Sequence, residues 1–121
     1  MEHPAHHHKI NYIEFAATDV ARAKEFYGKV FGWQFVDYGP DYASFTATSA
    51  GIDGGFWTAK AGEAFSKSAP LVVLYCGDLK ATEDAIVAAG GSIVVATFEF
   101  PGGRRFHFSD SVGNVLAVWS E

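Results

Sequence analysis

The sequence predicts an α+β fold in which one supersecondary unit, βαβββ, occurs twice in tandem. Three observations lead there. First, residues recur at a fixed distance: Gly51 and Gly113, Trp57 and Trp119, and Thr58 and Ser120 each lie 62 apart. Self-similarity over half a chain marks a repeated structural unit. Second, Asp19 and Asp78 open two stretches of helical periodicity that end at Gly32 and Gly91, and both pairs lie 59 apart. Third, Arg104 to Ser120, RRFHFSDSVGNVLAVWS, reads as an aromatic strand, a turn and a β-branched strand. Ser44 to Thr58, SFTATSAGIDGGFWT, is a fainter copy of it. The change of offset from 59 to 62 requires an insertion, placed at Pro101-Gly102-Gly103.

Taken in order, Ile10 to Ala16 is the first strand. Thr18 or Asp19 then caps a helix, because a short side-chain oxygen takes a free N–H of the first turn. Val20, Ala23, Phe26, Tyr27, Val30 and Phe31 follow at helical spacing. Gly32 stops the helix, since glycine takes the left-handed conformation without a Cβ penalty. Trp33 to Asp37 and Asp41 to Thr48 read as strands around a turn at Gly39-Pro40, and Gly54 to Ala59 as a fourth. Residues 60–69, KAGEAFSKSA, are small and polar and read as a linker. The order then repeats. Leu71 to Cys76 is a strand, and Asp78 caps a helix with Leu79, Thr82, Ala85, Ile86 and Ala89 on one face. Ser92 to Phe100, Arg104 to Ser109 and Val115 to Trp119 are strands, the last two joined by turn chemistry at Ser109-Asp110-Ser111 and Gly113-Asn114. The chain divides into a tail, 1–9, and a single domain, 10–121, with module one at 10–59 and module two at 70–121.

A chain of 121 residues is one domain with room for a real core. Hydrophobic residues make up 49%, aromatics 16% and charged residues 19%. Some of that aromatic surface is expected to line a cavity or a subunit interface, and a two-fold homodimer is the commonest way to bury it. The net charge of −5 argues against nucleic acid or an anionic membrane as partner. Arg104-Arg105-Phe106-His107-Phe108 sets basic residues beside strand aromatics, as base stacking does, but the glycine-spaced signature of such modules is absent. No apolar run reaches the ~20 residues that span a bilayer, and the N-terminus lacks a signal-peptide layout. Cys76 is the only cysteine, which excludes an internal disulfide and fits a cytoplasmic home. It reads as a small buried strand residue. Met1 to Lys9, MEHPAHHHK, holds four of the five histidines. Such a tract can bind a divalent metal, but at a terminus it supplies no fixed geometry and reads as a solvated tail.

One motif goes further. Asp19-Val20-Ala21-Arg22-Ala23-Lys24-Glu25-Phe26-Tyr27-Gly28-Lys29-Val30-Phe31-Gly32-Trp33 has the form D-x-x-R-A-x-x-F-Y-x-x-V-F-G-W, and Asp110-Ser111-Val112-Gly113-Asn114 lies near the end. Together with the double βαβββ order, this resembles the vicinal oxygen chelate superfamily, which holds glyoxalase I, bleomycin-resistance proteins and extradiol dioxygenases. The resemblance covers Ile10 to Glu121. It implies that the two curled mixed sheets form a cup and that function resides there. Metal enzymes of the superfamily place a ligand on the first and last strand of each module and hold one divalent ion with open positions for substrate. Carried over, those positions are Tyr12, Gly55, Leu71 (Val72 if the slack is placed differently) and Ala117. Gly, Leu and Ala offer no donor, and a lone tyrosine with a pKa of about 10 is a poor ligand. No metal and no cofactor are therefore expected.

Strand alternation places Glu14 on the face of Tyr12, Asp53 and Trp57 on that of Gly55, and Trp119 on that of Ala117. The expected ligand-binding set is thus Tyr12, Glu14, Asp53, Gly55, Trp57, Ala117 and Trp119. In it, Gly55 and Ala117 clear a floor between two indoles for a planar or apolar guest, and Glu14 favours a donor or positive charge. The reading this supports is a metal-free small-molecule binding protein, as in the drug-sequestering branch of the superfamily. The alternative is a lyase, isomerase or dioxygenase-type enzyme, using Glu14 and His107 as an acid–base pair or an atypical metal site. A module whose aromatic cup is covered by another protein is the third.

Overall fold

A computed structural model describes residues 7–59 and 70–121. Part of the histidine-rich tail, residues 1–6, and the expected linker over 60–69 lie outside the described residues. The elements run β1 (Tyr12–Ala17), α1 (Val20–Phe31), β2 (Phe35–Asp37), β3 (Tyr42–Phe45), α2 (Ala47–Ala50), β4 (Asp53–Thr58), β5 (Val73–Tyr75), α3 (Leu79–Ala88), β6 (Ser92–Phe100), β7 (Gly103–Ser109) and β8 (Val115–Ser120). They form two four-stranded sheets of the same topology, β1-β4-β3-β2 and β5-β8-β7-β6. In each, the first strand runs parallel to the last and the remaining pairs are antiparallel. The repeat inferred from a handful of residues is therefore a repeat of architecture, and the fold is the α+β double module. Among the described residues no helix is long and apolar enough to cross a membrane.

Helix α1 begins and ends as its sequence dictates. The Asp19 carboxylate accepts the Arg22 N–H at 3.1 Å, and Gly32 closes the helix at φ 72°. Two of the boundaries that differ from expectation have a visible cause. The third strand is cut short because Thr46 accepts the Ser49 N–H and caps one helical turn, α2, which Gly51 ends at φ 94°. Side-chain hydroxyls that bond nearby backbone divert the chain from the ladder in this way. Helix α3 stops before Gly91, because Gly90 takes the left-handed conformation at φ 98°. Gly91 is instead a close approach: a Cβ there would lie 2.8 Å from Ile86 Cγ2 and 2.8 Å from the Ser109 carbonyl oxygen. Finally, module two gains length along its β6–β7 hairpin, where β6 has nine residues and β2 has three.

Each sheet turns one face to a core shared by both modules. Phe15, Ala17, Ala43, Phe45 and Phe56 enter it from the first sheet, and Phe106, Phe108, Leu116 and Val118 from the second. Helices α1 and α3 touch each other on that side. The Phe26 ring stacks on Phe108 at 6.1 Å across the seam. A polar clamp joins the modules at the same place. Asp110, wholly buried, accepts the Tyr27 hydroxyl at 2.8 Å, the Val112 and Asn114 N–H groups at 2.9 and 3.0 Å, and Asn114 Nδ2 at 3.0 Å. Asn114 Nδ2 also donates to the Ala16 carbonyl at 2.8 Å. The aspartate and asparagine of the late motif thus fasten module two to α1 and β1.

Candidate functional site

The strand faces turned away from the core carry the candidate site residues, and the register shows which are neighbours. In module one Glu14 pairs with Gly55, Tyr12 with Asp53, and Tyr42 with Trp57. Pairing partners share a face, so Tyr12, Glu14, Tyr42, Gly55 and Trp57 lie together. Tyr42 holds the group: its hydroxyl donates to Glu14 Oε2 at 2.9 Å and bonds the Tyr12 hydroxyl. Burial, and after it the bonds to Tyr12 and Glu14, raise the Tyr42 phenol above its ordinary range. It is a neutral donor, not a phenolate.

Gly55 does not clear a floor. The space its missing Cβ leaves is taken by Tyr42: a Cβ there would lie 2.6 Å from Tyr42 Cζ and 2.9 Å from the Ala43 carbonyl oxygen. Ala117 opens no floor either, being wholly buried beneath its neighbours His107 and Val73. Asp53 has a structural contact instead, accepting the Ala47 N–H at 2.7 Å at the start of α2.

Module two presents the open space. A cavity of about 350 Å³ is lined by Val73, Phe100, Pro101, Gly102, Arg105 and Trp119. The Trp119 indole is set edge-on to Tyr75 at 5.0 Å and to Phe100 at 6.1 Å, so its orientation is fixed by packing. Trp57 does not line this cavity, and the two indoles expected to sandwich one guest are thus not brought together there. A second groove, of about 390 Å³, lies where Phe15, Phe31 and Trp33 approach Val72, Leu74 and Tyr75, and it offers no charged side chain.

His107 pairs with Ala117, which fixes its facing on the Trp119 side of the sheet. Its Nε2 is shielded from solvent and has no hydrogen-bond partner. Burial, and after it the Arg105 charge, lower its pKa from the ordinary value. No hydrogen bond joins His107 to Glu14 among the described residues, so the expected acid–base pair is not assembled. The sequence singled out Arg105 only within a base-stacking pattern, not as a residue of the cup. The signal was strand parity: it stands two residues before His107 and therefore on the same face, directly opposite Trp119.

The register also shows what stands beside the positions where the resemblance puts ligands, Tyr12, Gly55, Leu71 or Val72, and Ala117. Glu14 beside Gly55, and Val73 beside Ala117, are equivalent pairs in the two sheets. Leu71 and Val72 precede β5. Of the ligand positions themselves only Tyr12 carries a donor, and it is bonded to Tyr42; the donors that flank them are Glu14 and Ser44 beside Gly55 and His107 beside Ala117. Among the described residues no three His, Cys, Asp or Glu are grouped to hold an ion. This donor set does not fit a divalent cation that needs three or four protein ligands.

Known proteins match this arrangement. Residues 9–118 match the family model described as Glyoxalase/Bleomycin resistance protein/Dioxygenase superfamily. CFP32 of Mycobacterium bovis, whose name places it provisionally among glyoxylases, is 24% identical over 123 residues, covering 90% of this chain and 44% of that protein. The chain thus spans less than half the length of this curated relative. Among solved structures, a glyoxalase-related enzyme from Fulvimarina pelagi superposes with a TM-score of 0.76 at 19% identity, covering 94% of this chain and 88% of that one. The fosfomycin resistance protein FosX from Listeria monocytogenes gives 0.73 at 13% identity, covering 93% and 92%. At such identities the superpositions speak to the fold.

Proposed function

The chain belongs to the glyoxalase/bleomycin resistance protein/dioxygenase superfamily, and from that premise we propose that it is a metal-independent small-molecule binding protein whose guest lies against Trp119. The observation that carries this reading is the set of ligand positions, in which Gly55, Leu71, Val72 and Ala117 supply no donor and Tyr12 is already bonded by Tyr42. What the outer face offers instead is a cavity with a fixed indole wall, apolar but for Arg105. A flat guest stacked there gains roughly 0.5–1.5 kcal/mol per aromatic pair beyond its buried area. A catalytic reading through Glu14 and His107 has less support, since no hydrogen bond connects them. A homodimer accompanies the proposal, because Tyr12, Val73 and Tyr75 on these outer faces are 45%, 42% and 57% exposed.

The test is calorimetric titration of the chain with 2-naphthol, a flat uncharged probe, beside Trp119→Ala. One saturable site in the wild type, weakened about tenfold or more by Trp119→Ala, supports the proposal. Equal affinity in the two proteins removes Trp119 from the site.

A further inference from the structure

We infer that the guest at Trp119 is an aromatic acid, whose ring meets the indole and whose carboxylate is received by Arg105. This rests on the reading of the Trp119 cavity as the ligand site and adds the chemical class of the ligand.

One of the equivalent positions at which the two modules differ faces the tryptophan. Opposite Trp57 stands Tyr42, and opposite Trp119 stands Arg105. Tyr42 is satisfied within its own sheet by Glu14 and Tyr12. Arg105 is not. Among the described residues no carboxylate lies within 4.0 Å of its guanidinium, since the ion pairs there involve Lys24 and Lys80. Its Nε is buried without an acceptor, and the other such side-chain nitrogen among the described residues, His107 Nε2, is on the same face of the same strand. A buried donor left unpaired is unfavourable, and more so when it belongs to a charged group.

Geometry narrows the choice further. The guanidinium carbon lies 5.2 Å from the Phe98 ring centroid and 5.5 Å from that of Phe100. Two aromatic faces hold the planar fork, so little side-chain freedom is lost when a carboxylate binds. A planar two-oxygen anion matches such a fork with two parallel hydrogen bonds. The Glu121 carboxylate on this side of the sheet accepts the Tyr75 hydroxyl, and is not spent on Arg105. The cation is local, in a chain of net charge −5, and it lines the same cavity as Phe100 and Trp119. One positive fork beside an apolar slot selects a ligand with a flat ring and one negative group.

The experiment is calorimetric titration of the full chain with 2-naphthoate and with 2-naphthamide, its uncharged analogue of nearly the same shape. Wild type is expected to bind the acid about tenfold tighter than the amide. Arg105→Met, which keeps the apolar stem over the rings, should reduce that preference to about threefold or less. In unaltered protein the preference should also shrink between about 0.05 M and about 0.5 M salt, as screening weakens an exposed charge pair. Equal affinity for the two probes in wild type overturns the inference and leaves the cavity reading in place. A preference that survives Arg105→Met also overturns it, by removing Arg105 from the site. Failure of both probes to bind at about 5 mM overturns the cavity reading, and the inference with it.

Discussion

Tyr27→Phe removes one hydroxyl from the seam between the modules and leaves the ring in place. That ring is wholly buried, stacked on Trp33 at 4.7 Å and tilted against Phe56 at 5.0 Å, so apolar packing should be unchanged. What is lost is the 2.8 Å donation to Asp110. A hydrogen bond to a charged group contributes about 1.5–3 kcal/mol. The carboxylate keeps three other donors, so the variant should fold and lose about that amount. Asp110→Ala is the harsher change. It strands four donors, namely the Tyr27 hydroxyl, two backbone N–H groups and Asn114 Nδ2. At about 1–3 kcal/mol each, that loss is comparable to the whole stability of a small domain, about 5–15 kcal/mol. Urea unfolding followed by tryptophan emission measures both, with an unchanged slope showing that stability alone has moved. The phenol adds a pH signature. Burial, and after it the Asp110 charge and hydrogen bond, hold its pKa well above the ordinary value. The folded pKa being the higher, its contribution is complete below the unfolded value of about 10 and is lost as pH rises toward the folded one. Wild type should therefore weaken above about pH 10 more steeply than Tyr27→Phe. A loss below about 0.5 kcal/mol in Tyr27→Phe, or identical alkaline behaviour, refutes the role given to this clamp.

Three further outcomes are expected. Gly55→Ala should cost about 1–3 kcal/mol as an overpacked site, with part of the loss recovered in Tyr42→Phe, which removes the colliding hydroxyl; simple additivity in urea unfolding would contradict the close approach seen there. The lowered pKa of His107 means that its stabilising effect is present above the unfolded value of about 6.5 and is lost as pH falls. His107→Gln should then flatten the stability profile just below that pH, and an unchanged profile would contradict it. Light scattering at tens of micromolar, roughly, should report a dimer, whereas the monomer mass of 13.1 kDa would exclude one.

Much of the fold was legible because local signals agreed with the global one. Asp19 and Gly32 bound α1 as caps do wherever they occur, and the 62-residue recurrence of Trp57 and Trp119 reflects a shared register on β4 and β8. Thr46 was less legible, because a β-branched residue in a strand-like run gives no warning that its hydroxyl will cap a turn. The site was legible only by face. Alternation placed Glu14, Gly55, Ala117 and Trp119 correctly on the outer faces, but not what covers them. Small residues at Gly55 and Ala117 suggested open space, whereas they are small because Tyr42 and the neighbours of Ala117 fill it. Arg105 was hidden for the opposite reason: beside Arg104 it reads as half of a basic pair, and its lack of a partner is visible only in the fold.

Metal independence at Trp119 is the claim on which the functional reading stands. It is tested most directly by the affinity for 2-naphthol, measured after exhaustive EDTA dialysis and again with one equivalent of Zn²⁺ or Mn²⁺ added. The chain should carry His3, His6, His7 and His8 replaced by Ser, so that the tail takes up no metal. The account predicts the same dissociation constant, within about twofold, under all three conditions. A gain of about tenfold or more on adding one equivalent of metal would contradict it.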